Sequence, residues 1–361
     1  MTVEITGTVQ GVGFRPFVFG LAESLDLAGS VANAGAHVVC VVEGSQTACR
    51  EFVRRVQAEA PELAELHSTT AVESPPIGQT EFVISASSAV DHERSSAVPP
   101  DIATCSRCQA EAVDPTDRRH QFPFICCTDC GPRYTVVQDL PYDRTNTSLS
   151  NFPLCDQCCA EYEDPRDRRF HAQATSCPVC GPQLTGATVA EGVAALVGGA
   201  IVAVKGLGGY QLLCRSDRND SVRQLRDRKH RETKPFALLV GSVAMAEQLV
   251  ELDAVSRSAL ASPAAPIVLA QARPTDDVAT AVAPGTRLLG LMLPASHLHA
   301  MLVAGVGVPL VCTSGNRSNE PIVIDDELAA RRFADIADRV IAHDRRTVSY
   351  THLTLPTTPY V

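Results

Sequence analysis

Eight cysteines in the middle of the chain have the spacing of metal ligands. The stretch "CSRCQAEAVDPTDRRHQF" recurs fifty positions later as "CDQCCAEYEDPRDRRFHA", and each copy continues to a second C-x2-C pair followed by Gly-Pro. Two cysteines three residues apart can hold one ion between them, and two such pairs complete the tetrahedral sulfur site that structural zinc prefers. The candidate ligands are Cys105, Cys108, Cys127 and Cys130 in the first copy, and Cys155, Cys158, Cys177 and Cys180 in the second.

The cysteine-rich segment has few apolar runs, so metal binding would have to supply its folding free energy. Structural zinc provides about 10–16 kcal/mol per site at neutral pH. Because each copy carries four ligands, we expect one zinc ion per copy, although the spacing also allows ligand sets that cross between the copies. Burial of all eight cysteines in a hydrophobic core is the other interpretation, and the scarcity of apolar neighbours argues against it.

The loop "GTVQGVGFR" (residues 7–15) has the composition of an anion site. Glycine lets backbone N–H groups converge on one point, and a helix that follows adds its positive N-terminal dipole. Arg15 adds a guanidinium group that can bind two phosphate oxygens at once. A plain turn would explain the same glycines. The backbone candidates for phosphoryl binding are Gln10, Gly11, Val12 and Gly13.

Asn33 is a candidate for positioning water at that loop. It lies near the predicted turn of "GSVANAGAHVVCVVEG", and an amide there could orient an attacking water molecule. The alternative is a simple turn-forming role. No carboxylate or histidine base is obvious nearby in the sequence, so we expect the substrate's own phosphate to accept the proton.

A third group of polar residues follows predicted strands in the last part of the chain. "TSGNRSNEP" (residues 313–321) comes directly after the apolar run "VPLVC", which is where open α/β sheets bind ligands. The basic run "RKHRETKP" (residues 228–235) is either a set of nucleotide-binding cations or a solvated helix end. The candidates in this region are Lys205, Tyr210, Lys229, Arg231, Lys234, Ser314 and Asn316.

The elements that position these residues fall into successive domains. Residues 1–90 read β-α-β-β-α-β, the ferredoxin-like order, with "TEFVIS" as the closing strand. Residues 91–184 comprise a polar linker, "DHERSSAVPP", and the tandem cysteine module. Residues 185–346 alternate apolar strands with helical stretches, which predicts an α/β domain. The predicted fold class is therefore multidomain, α+β followed by α/β.

Composition excludes several classes of protein. The net charge is -10, and an acidic balance argues against nucleic acid as the main partner. The Arg-Arg pairs of the two copies (residues 118–119 and 168–169) have aspartates close by in sequence, which favours a neutral structural joint. No apolar run is long enough to cross a membrane, and the acidic start does not resemble a signal peptide. With reduced cysteines, we expect a cytoplasmic protein.

Two of the domains resemble known families. "GTVQGVGFR" and "GSVANAGAHV" are similar to the phosphate loop and asparagine segment of the acylphosphatase family, which implies phosphate binding by Arg15 and water positioning by Asn33. The last domain resembles the YrdC family, which makes carbamoyl-type adenylates from ATP. That resemblance implies that the cations bind the triphosphate, and that the polar pair positions the carbamate. The matching residues are the pairs Lys229 with Arg231, Ser314 with Asn316, and Lys205 with Tyr210.

The domain order resembles that of the hydrogenase maturation carbamoyltransferase (HypF) family. "PPDIATC", "LPYDR", "DPRDRRFHAQ", "CPVCGP" and "TSGNRSNEPI" all read like that family. The resemblance implies cleavage of carbamoyl phosphate at the first domain, and then use of ATP with Mg2+ to form carbamoyl adenylate and pyrophosphate. A further domain of the family is implied to pass the carbamoyl group to the C-terminal cysteine of the partner protein HypE.

The end of the chain departs from that family. Residues 347–361, "TVSYTHLTLPTTPYV", contain no acidic residue, lysine or arginine, whereas the family continues into a large transferase domain. From this departure we expect a truncated chain with a non-native tail. The missing part is the one implied to complete the transfer to HypE.

Two other functions compete with this one. A threonylcarbamoyl-adenylate synthase for tRNA modification would also use a YrdC-like domain, but the phosphate loop and cysteine repeat argue against it. A zinc-ribbon adaptor that binds protein or RNA, with inactive catalytic domains, would explain the repeat alone. The candidate catalytic pair Arg15 and Asn33 argues against that adaptor.

Overall fold

The computed structural model describes residues 1–35, 37–88, 99–275, 277–318 and 320–348. Most of the predicted linker (residues 91–98) and the predicted tail from residue 349 onward lie outside the described residues. The chain forms two compact units. The first comprises Met1–Gln183 with the short segments Ser262–Ala265 and Pro294–Met301, and the second comprises Leu184–Ala261, Pro266–Leu293 and the chain from residue 302.

The first unit begins with a five-stranded sheet in the order β4-β1-β3-β2-β5. Neighbouring strands are antiparallel, apart from the parallel pair β2 and β5. The strands are β1 (Thr2–Thr8), β2 (Ala28–Ala34), β3 (His37–Glu43), β4 (Glu65–Val72) and β5 (Phe82–Ile84). The helices are α1 (Phe14–Ser24) and α2 (Gln46–Ala58). The predicted ferredoxin-like fold is confirmed by this topology.

Alternation in sequence produces the core of this sheet. In β3, and in β1 as far as Ile5, every second side chain is fully buried, and the residues between them are more exposed. Two helices present apolar stripes of period 3.6 to the same face. The core residues from these elements are Val3, Ile5, Val38, Cys40 and Val42 from the strands, and Phe14, Val18, Leu21, Phe52 and Val56 from the helices.

The prediction that "TEFVIS" forms the last strand is confirmed by β5, but its place as the fourth strand of the ferredoxin-like order was wrong. The fourth strand of the ferredoxin-like order is β4, which pairs with β1, and β5 is an additional strand beside β2. β4 lies at the edge of the sheet, and its residues are mostly exposed. A polar edge strand has no apolar alternation, so periodicity does not reveal it.

The cysteine repeats form two similar small modules within the first unit. Each has one helix of eight residues, α3 (Ser106–Val113) and α4 (Asp156–Glu163), and each helix follows a cysteine at its N-cap. Two 3-10 helices, Arg144–Asn146 and Ser148–Asn151, lie in the segment between the copies. The apolar cluster here includes three of the predicted ligands, Cys108, Cys127 and Cys130, and also Cys126, Ile102, Phe122 and Ile125.

Reciprocal ion pairs join the two copies. Arg118 and Arg119 of the first copy donate to Glu161 on α4, and the equivalent arginines of the second copy, Arg168 and Arg169, donate to Glu111 on α3. The partners are therefore glutamates of the opposite copy rather than the neighbouring aspartates. Burial disfavours the charge of Glu161, but the hydrogen bonds from Arg119 and Arg118 outweigh it and lower its pKa to about 2.

The second unit contains a nine-stranded mixed sheet in the order β10-β11-β12-β9-β13-β8-β7-β14-β6. The pairs β9–β12 and β7–β14 are parallel, and the remaining pairs are antiparallel. The strands are β6 (Leu184–Gly186), β7 (Val202–Lys205), β8 (Tyr210–Arg215), β9 (Ala237–Leu239), β10 (Val250–Glu251), β11 (Val268–Ala272), β12 (Leu288–Met292), β13 (Leu310–Ser314) and β14 (Arg339–His343).

The helices of the later part of the chain are α5 (Val189–Val197), α6 (Asn219–Lys229), α7 (Val243–Leu249), α8 (Ala254–Leu260), α9 (His297–Val306) and α10 (Asp326–Phe333), with a 3-10 helix at Thr280–Val282. The strands β7 and β13, which carry predicted site residues at their ends, are buried almost throughout. These runs read as continuous apolar segments because both sheet faces are covered. No helix among the described residues combines the length and apolar character of a membrane span.

We predict that Gly29→Ala destabilises the first sheet. Gly29 has φ +136°, and a Cβ atom there would lie 1.9 Å from the Val41 carbonyl oxygen. The strained backbone alone should cost about 1–3 kcal/mol. Gly20→Ala is the matched control, because Gly20 lies in α1 with nothing within 4 Å of its added Cβ. That change should stabilise by about 0.5–1 kcal/mol. Hydrogen exchange of β2 and β3 amides measures both, and equal exchange in the two variants contradicts the prediction.

We predict that Glu161→Gln weakens the joint between the cysteine modules. The variant leaves the guanidinium of Arg119, whose side chain is 2% exposed, without its carboxylate partner. Loss of hydrogen bonds to a charged group should cost about 1.5–3 kcal/mol. Glu163→Gln on the exposed face of α4 is the control and should change stability by less than about 0.5 kcal/mol. Thermal unfolding at fixed zinc concentration measures the difference, and coincident curves would refute it.

Candidate functional site

The loop between β1 and α1 has the backbone geometry of an anion cradle. Gly11 and Gly13 have φ +70° and +75°, and Gly13 is the N-cap of α1. Within the described residues, the N–H groups of residues 10–13 donate no backbone hydrogen bond. Their spacing on a left-handed turn in front of a helix leaves them available to phosphate oxygens.

Arg15 is held beside this loop by two polar partners. Its Nη2 donates to Asp143 Oδ1 at 2.7 Å, and its Nη1 donates to Ser87 Oγ at 3.4 Å. Ser87 in turn donates to the other oxygen of Asp143. The Arg15 side chain is only 10% exposed, so its charge is partly desolvated. Its two partners fix the orientation of the guanidinium group. A carboxylate therefore contacts the guanidinium that was predicted to bind phosphate.

Asn33 lies at the end of β2, where it pairs with Val38 of β3. Its side chain is buried, and neither amide atom has a hydrogen-bond partner within the described residues. A buried amide without a partner is costly, so a bound water or ligand would stabilise it. The end of β2 is connected to the loop through Gln10, a loop residue whose Nε2 donates to the Gly35 carbonyl at 2.9 Å.

The structure places a carboxylate and a histidine near the loop, where none was obvious from the sequence. Asp143 contacts Arg15, and His171 lines the same cavity of about 30 Å³ together with Arg15, Arg133 and Tyr142. Burial, assisted by the positive charge of Arg15, lowers the pKa of His171 to about 4, so its ring is neutral at pH 7. The family-like stretches "LPYDR" and "DPRDRRFHAQ" contain Asp143 and His171, and they are the sequence signal that could have identified these two residues.

The eight cysteines form two separate tetrads, one per copy. In each tetrad the four sulfur atoms lie within 4.8 Å of one another, and no tetrad crosses between copies in the part of the chain described. Neighbouring Sγ atoms are separated by 3.5–3.9 Å in the first tetrad and by 3.7 Å in the second. A tetrahedral ion with Zn–S bonds of ~2.3 Å requires sulfur separations of about 3.8 Å. The donor type, number and geometry therefore fit zinc.

Arginines also contact the sulfur ligands across the two copies. Arg118 donates to Cys158 Sγ at 3.1 Å, and Arg168 donates to Cys108 Sγ at 3.1 Å. Four thiolates around a divalent ion carry a net charge of about -2, and N–H donors next to sulfur offset that charge. The repeat thus supplies both the ligands and the cations that balance them.

A cavity of about 500 Å³ lies in the second unit, beside the end of β13. Three predicted residues, Tyr210, Arg231 and Ser314, line it together with Phe236 and Thr313. The Ser314 hydroxyl donates to Asn316 Oδ1 at 2.7 Å, so the predicted polar pair is in direct contact. The Arg231 guanidinium lies over the Phe236 ring, 5.2 Å from its centroid, and remains half-buried at the cavity edge.

Lys229 stabilises the turn that carries Ser314 at the edge of this cavity. Its ammonium donates to the carbonyls of Ser314 and Asn316, both at 2.6 Å, and to Asn316 Oδ1 at 2.7 Å. The residue is buried, and burial together with the nearby Arg231 lowers its pKa to about 8. Three oxygen acceptors around one ammonium group fix the turn that carries Ser314 and Asn316.

The remaining predicted cations lie differently. Lys205 is buried and pairs with Asp326 at 2.7 Å, and Tyr210 donates to the same carboxylate at 2.8 Å. Burial and this hydrogen bond raise the pKa of Tyr210 above its ordinary value. Lys234 is exposed and does not line the cavity. Asp326 was not identified from the sequence, because it lies 116 residues from Tyr210 at the start of α10.

Three family models match consecutive parts of the chain. The acylphosphatase model matches residues 1–84, and the model described as HypF finger matches residues 104–137 and 154–186. The Sua5/YciO/YrdC model, described as telomere recombination, matches residues 194–352. These matches follow the order of the five-stranded sheet with its glycine loop, the cysteine tetrads and the nine-stranded sheet.

Relatives with the same arrangement are found among characterised proteins. Carbamoyltransferase HypF of Rhizobium leguminosarum bv. viciae is 44% identical over 96% of this chain and 46% of its own length, and that of Synechocystis sp. is 42% identical over 96% and 47%. The chain thus spans about half the length of these curated relatives.

Solved structures show the same architecture. Full-length HypF in a phosphate- and nucleotide-bound form matches with a TM-score of 0.93 at 37% identity, over 96% of this chain and 47% of that one. HypF of T. kodakarensis matches with a TM-score of 0.88 at 35% identity, over 96% and 46%. Sequence, domain order and structure together show that the chain belongs to the HypF carbamoyltransferase family.

Proposed function

We propose that the chain hydrolyses carbamoyl phosphate to carbamate and phosphate, and then condenses carbamate with ATP to give carbamoyl adenylate and pyrophosphate. In the whole protein, the carbamoyl group would then pass to the C-terminal cysteine of HypE in the cytoplasm. The observation that carries the proposal is the presence, in one chain, of an anion cradle with an arginine and of a cavity lined by Arg231, Tyr210 and Ser314. A relative with this architecture was solved with phosphate and nucleotide bound.

In the first reaction, the loop N–H groups and Arg15 would hold the phosphoryl group. The phosphate would displace the carboxylate of Asp143 from the guanidinium, or share it, since Arg15 has donors on more than one edge. The unpartnered amide of Asn33 would hold the attacking water. The water oxygen bonds to phosphorus as the bond to the carbamoyl oxygen breaks, and a phosphate oxygen takes up the proton.

In the second reaction, a carbamate oxygen would attack the α-phosphorus of ATP while pyrophosphate leaves with Mg2+. Arg231 at the cavity edge would neutralise charge on the phosphates. Ser314 and Asn316, held in place by Lys229, would orient the carbamate. Lys205 and Tyr210 act through Asp326, which fixes the tyrosine at the cavity wall.

The two cysteine tetrads would each hold a structural zinc ion. Every ligand is a thiolate from the protein, and a closed four-sulfur site keeps no position for substrate. The zinc would therefore supply folding free energy rather than chemistry. Its role is to hold the residues that surround the phosphate loop.

The decisive experiment is carbamoyl-phosphate-dependent exchange of labelled pyrophosphate into ATP. We expect the chain to catalyse exchange, and Arg15→Ala to abolish it while leaving two zinc ions per chain. Arg50→Ala, an exposed arginine on α2, is the control and should exchange like the wild type. Phosphate release without exchange would leave only the first reaction. Neither activity in a folded, zinc-loaded chain would contradict the proposal and favour an adaptor.

The pKa of Lys229 predicts how the second reaction depends on pH. Because this pKa is about 8, the ammonium loses its proton as the pH rises from 7 to 9, and the turn with Ser314 and Asn316 loses its charged donor. About one lysine in ten remains charged at pH 9, so the rate of pyrophosphate exchange at saturating ATP should fall by up to about tenfold. Phosphate release from carbamoyl phosphate, measured in the same samples, is the internal control. An exchange rate that stays constant to pH 9 would contradict this role of Lys229.

A further inference from the structure

A buried arginine from the first cysteine module contacts the phosphate loop. Arg133 follows the second cysteine pair of its copy, and it is 2% exposed. Its Nε donates to the Gly11 carbonyl at 2.9 Å, and its Nη2 donates to the Thr128 carbonyl at 2.6 Å. Its Nη1 donates to the Cys130 carbonyl. One guanidinium group therefore joins the loop to the turn that carries Cys127 and Cys130, the knuckle of the first copy.

The contact with Gly11 determines the direction of a phosphate donor. A peptide unit is planar and trans, so its carbonyl and the following N–H point in opposite directions. When Arg133 holds the carbonyl of Gly11, the N–H of Val12 must point away from Arg133. Within the described residues, this N–H donates to no other group. Gly11 has φ +70°, and because glycine has no Cβ, this residue by itself does not restrict the peptide to one orientation.

The second copy of the repeat shows which part of the contact is additional. Gln183 occupies the position equivalent to Arg133, fifty residues later, and its Nε2 donates to the Pro178 carbonyl at 2.9 Å. Pro178 is the equivalent of Thr128. Arg133 and Gln183 therefore donate to equivalent carbonyl groups, each within its own copy. The hydrogen bond to the Gly11 carbonyl is the additional contact that Arg133 makes. It explains why the first copy has an arginine where the second copy has a glutamine.

The charge of Arg133 adds to the same site. Its acceptors are three neutral carbonyls, so its positive charge is not cancelled by a carboxylate among these contacts. It lines the small cavity together with Arg15. Asp101 accepts a hydrogen bond from the backbone N–H of Arg133, at 2.7 Å, and not from its guanidinium. A buried cation next to loop N–H groups that have no backbone acceptor among the described residues favours an anion there.

We infer that Arg133 is a positioning residue for the phosphate loop, which it holds in the phosphate-binding conformation through the Gly11 carbonyl. The inference rests on the proposed hydrolysis of an acyl phosphate at this loop. It makes the cysteine module part of the phosphate site, because the other donors of Arg133 are anchored on the knuckle between Cys127 and Cys130.

Arg133→Gln tests this role, because it installs the residue that the second copy uses. Glutamine can brace the Thr128 carbonyl but is too short and has too few donors to hold Gly11 as well. We expect zinc content to stay at two ions per chain. We expect the Kd for inorganic phosphate, measured by calorimetry on the full chain, to rise about 10- to 100-fold, as for a lost hydrogen bond from a charged group. The value of kcat/KM for carbamoyl phosphate should fall in parallel.

Arg133→Lys separates position from charge. Lysine keeps the positive charge but not the planar fork, so it should bind phosphate nearly as weakly as the glutamine variant. Wild-type affinity in the lysine variant would overturn positioning in favour of charge alone. Wild-type affinity in the glutamine variant, or a loss of zinc that accounts for the weaker binding, would also overturn it. If the wild type itself binds no phosphate, the proposed function fails together with the inference.

Discussion

The tetrahedral arrangement of four sulfur atoms is the constraint on which each cysteine module depends. The cysteine-rich segment has a small apolar cluster, and ligand cysteines form part of it. Such a segment cannot offset its conformational entropy by burial of apolar side chains alone. The sulfur tetrads fix both short helices at their first turn, and reciprocal Arg–Glu pairs then join the copies. Each copy therefore contributes cations to the sulfur site of the other.

The cysteine module also affects the glycine loop before α1. Residues of the module and of the segment between its copies contact the loop and its arginine: Arg133 holds Gly11, Tyr142 donates its N–H to Gln10, and Asp143 pairs with Arg15. Among the described residues, the N–H groups of residues 10–13 donate no backbone hydrogen bond, so the loop is not held by such bonds of its own. Contacts from outside have to fix it, and here the cysteine module provides them.

In the second unit, buried lysines hold the residues beside the cavity in place. Lys229 and Lys205 are both nearly inaccessible, and each is surrounded by oxygen atoms of the protein. Their charges hold a turn and a tyrosine in place rather than projecting into the cavity. Arg231, with its planar group against Phe236, is the predicted cation that reaches the cavity. Because a buried ammonium group must be matched by acceptors, a lysine next to a site is not necessarily a ligand of the substrate.

The sequence by itself determined what depends on local spacing. The cysteine pairs, the glycine loop before α1 and the alternating strands β1 and β3 were all predicted, because two- to four-residue periods are set by chain geometry. The polar edge strand β4 has no such period and was missed. Only the tertiary structure placed Asp143 beside Arg15 and Arg133 beside Gly11, since these partners are separated by 128 and 122 residues. It also decided that Lys205 faces Asp326 and that the arginine pairs face the opposite copy, because such pairings depend on how distant elements pack.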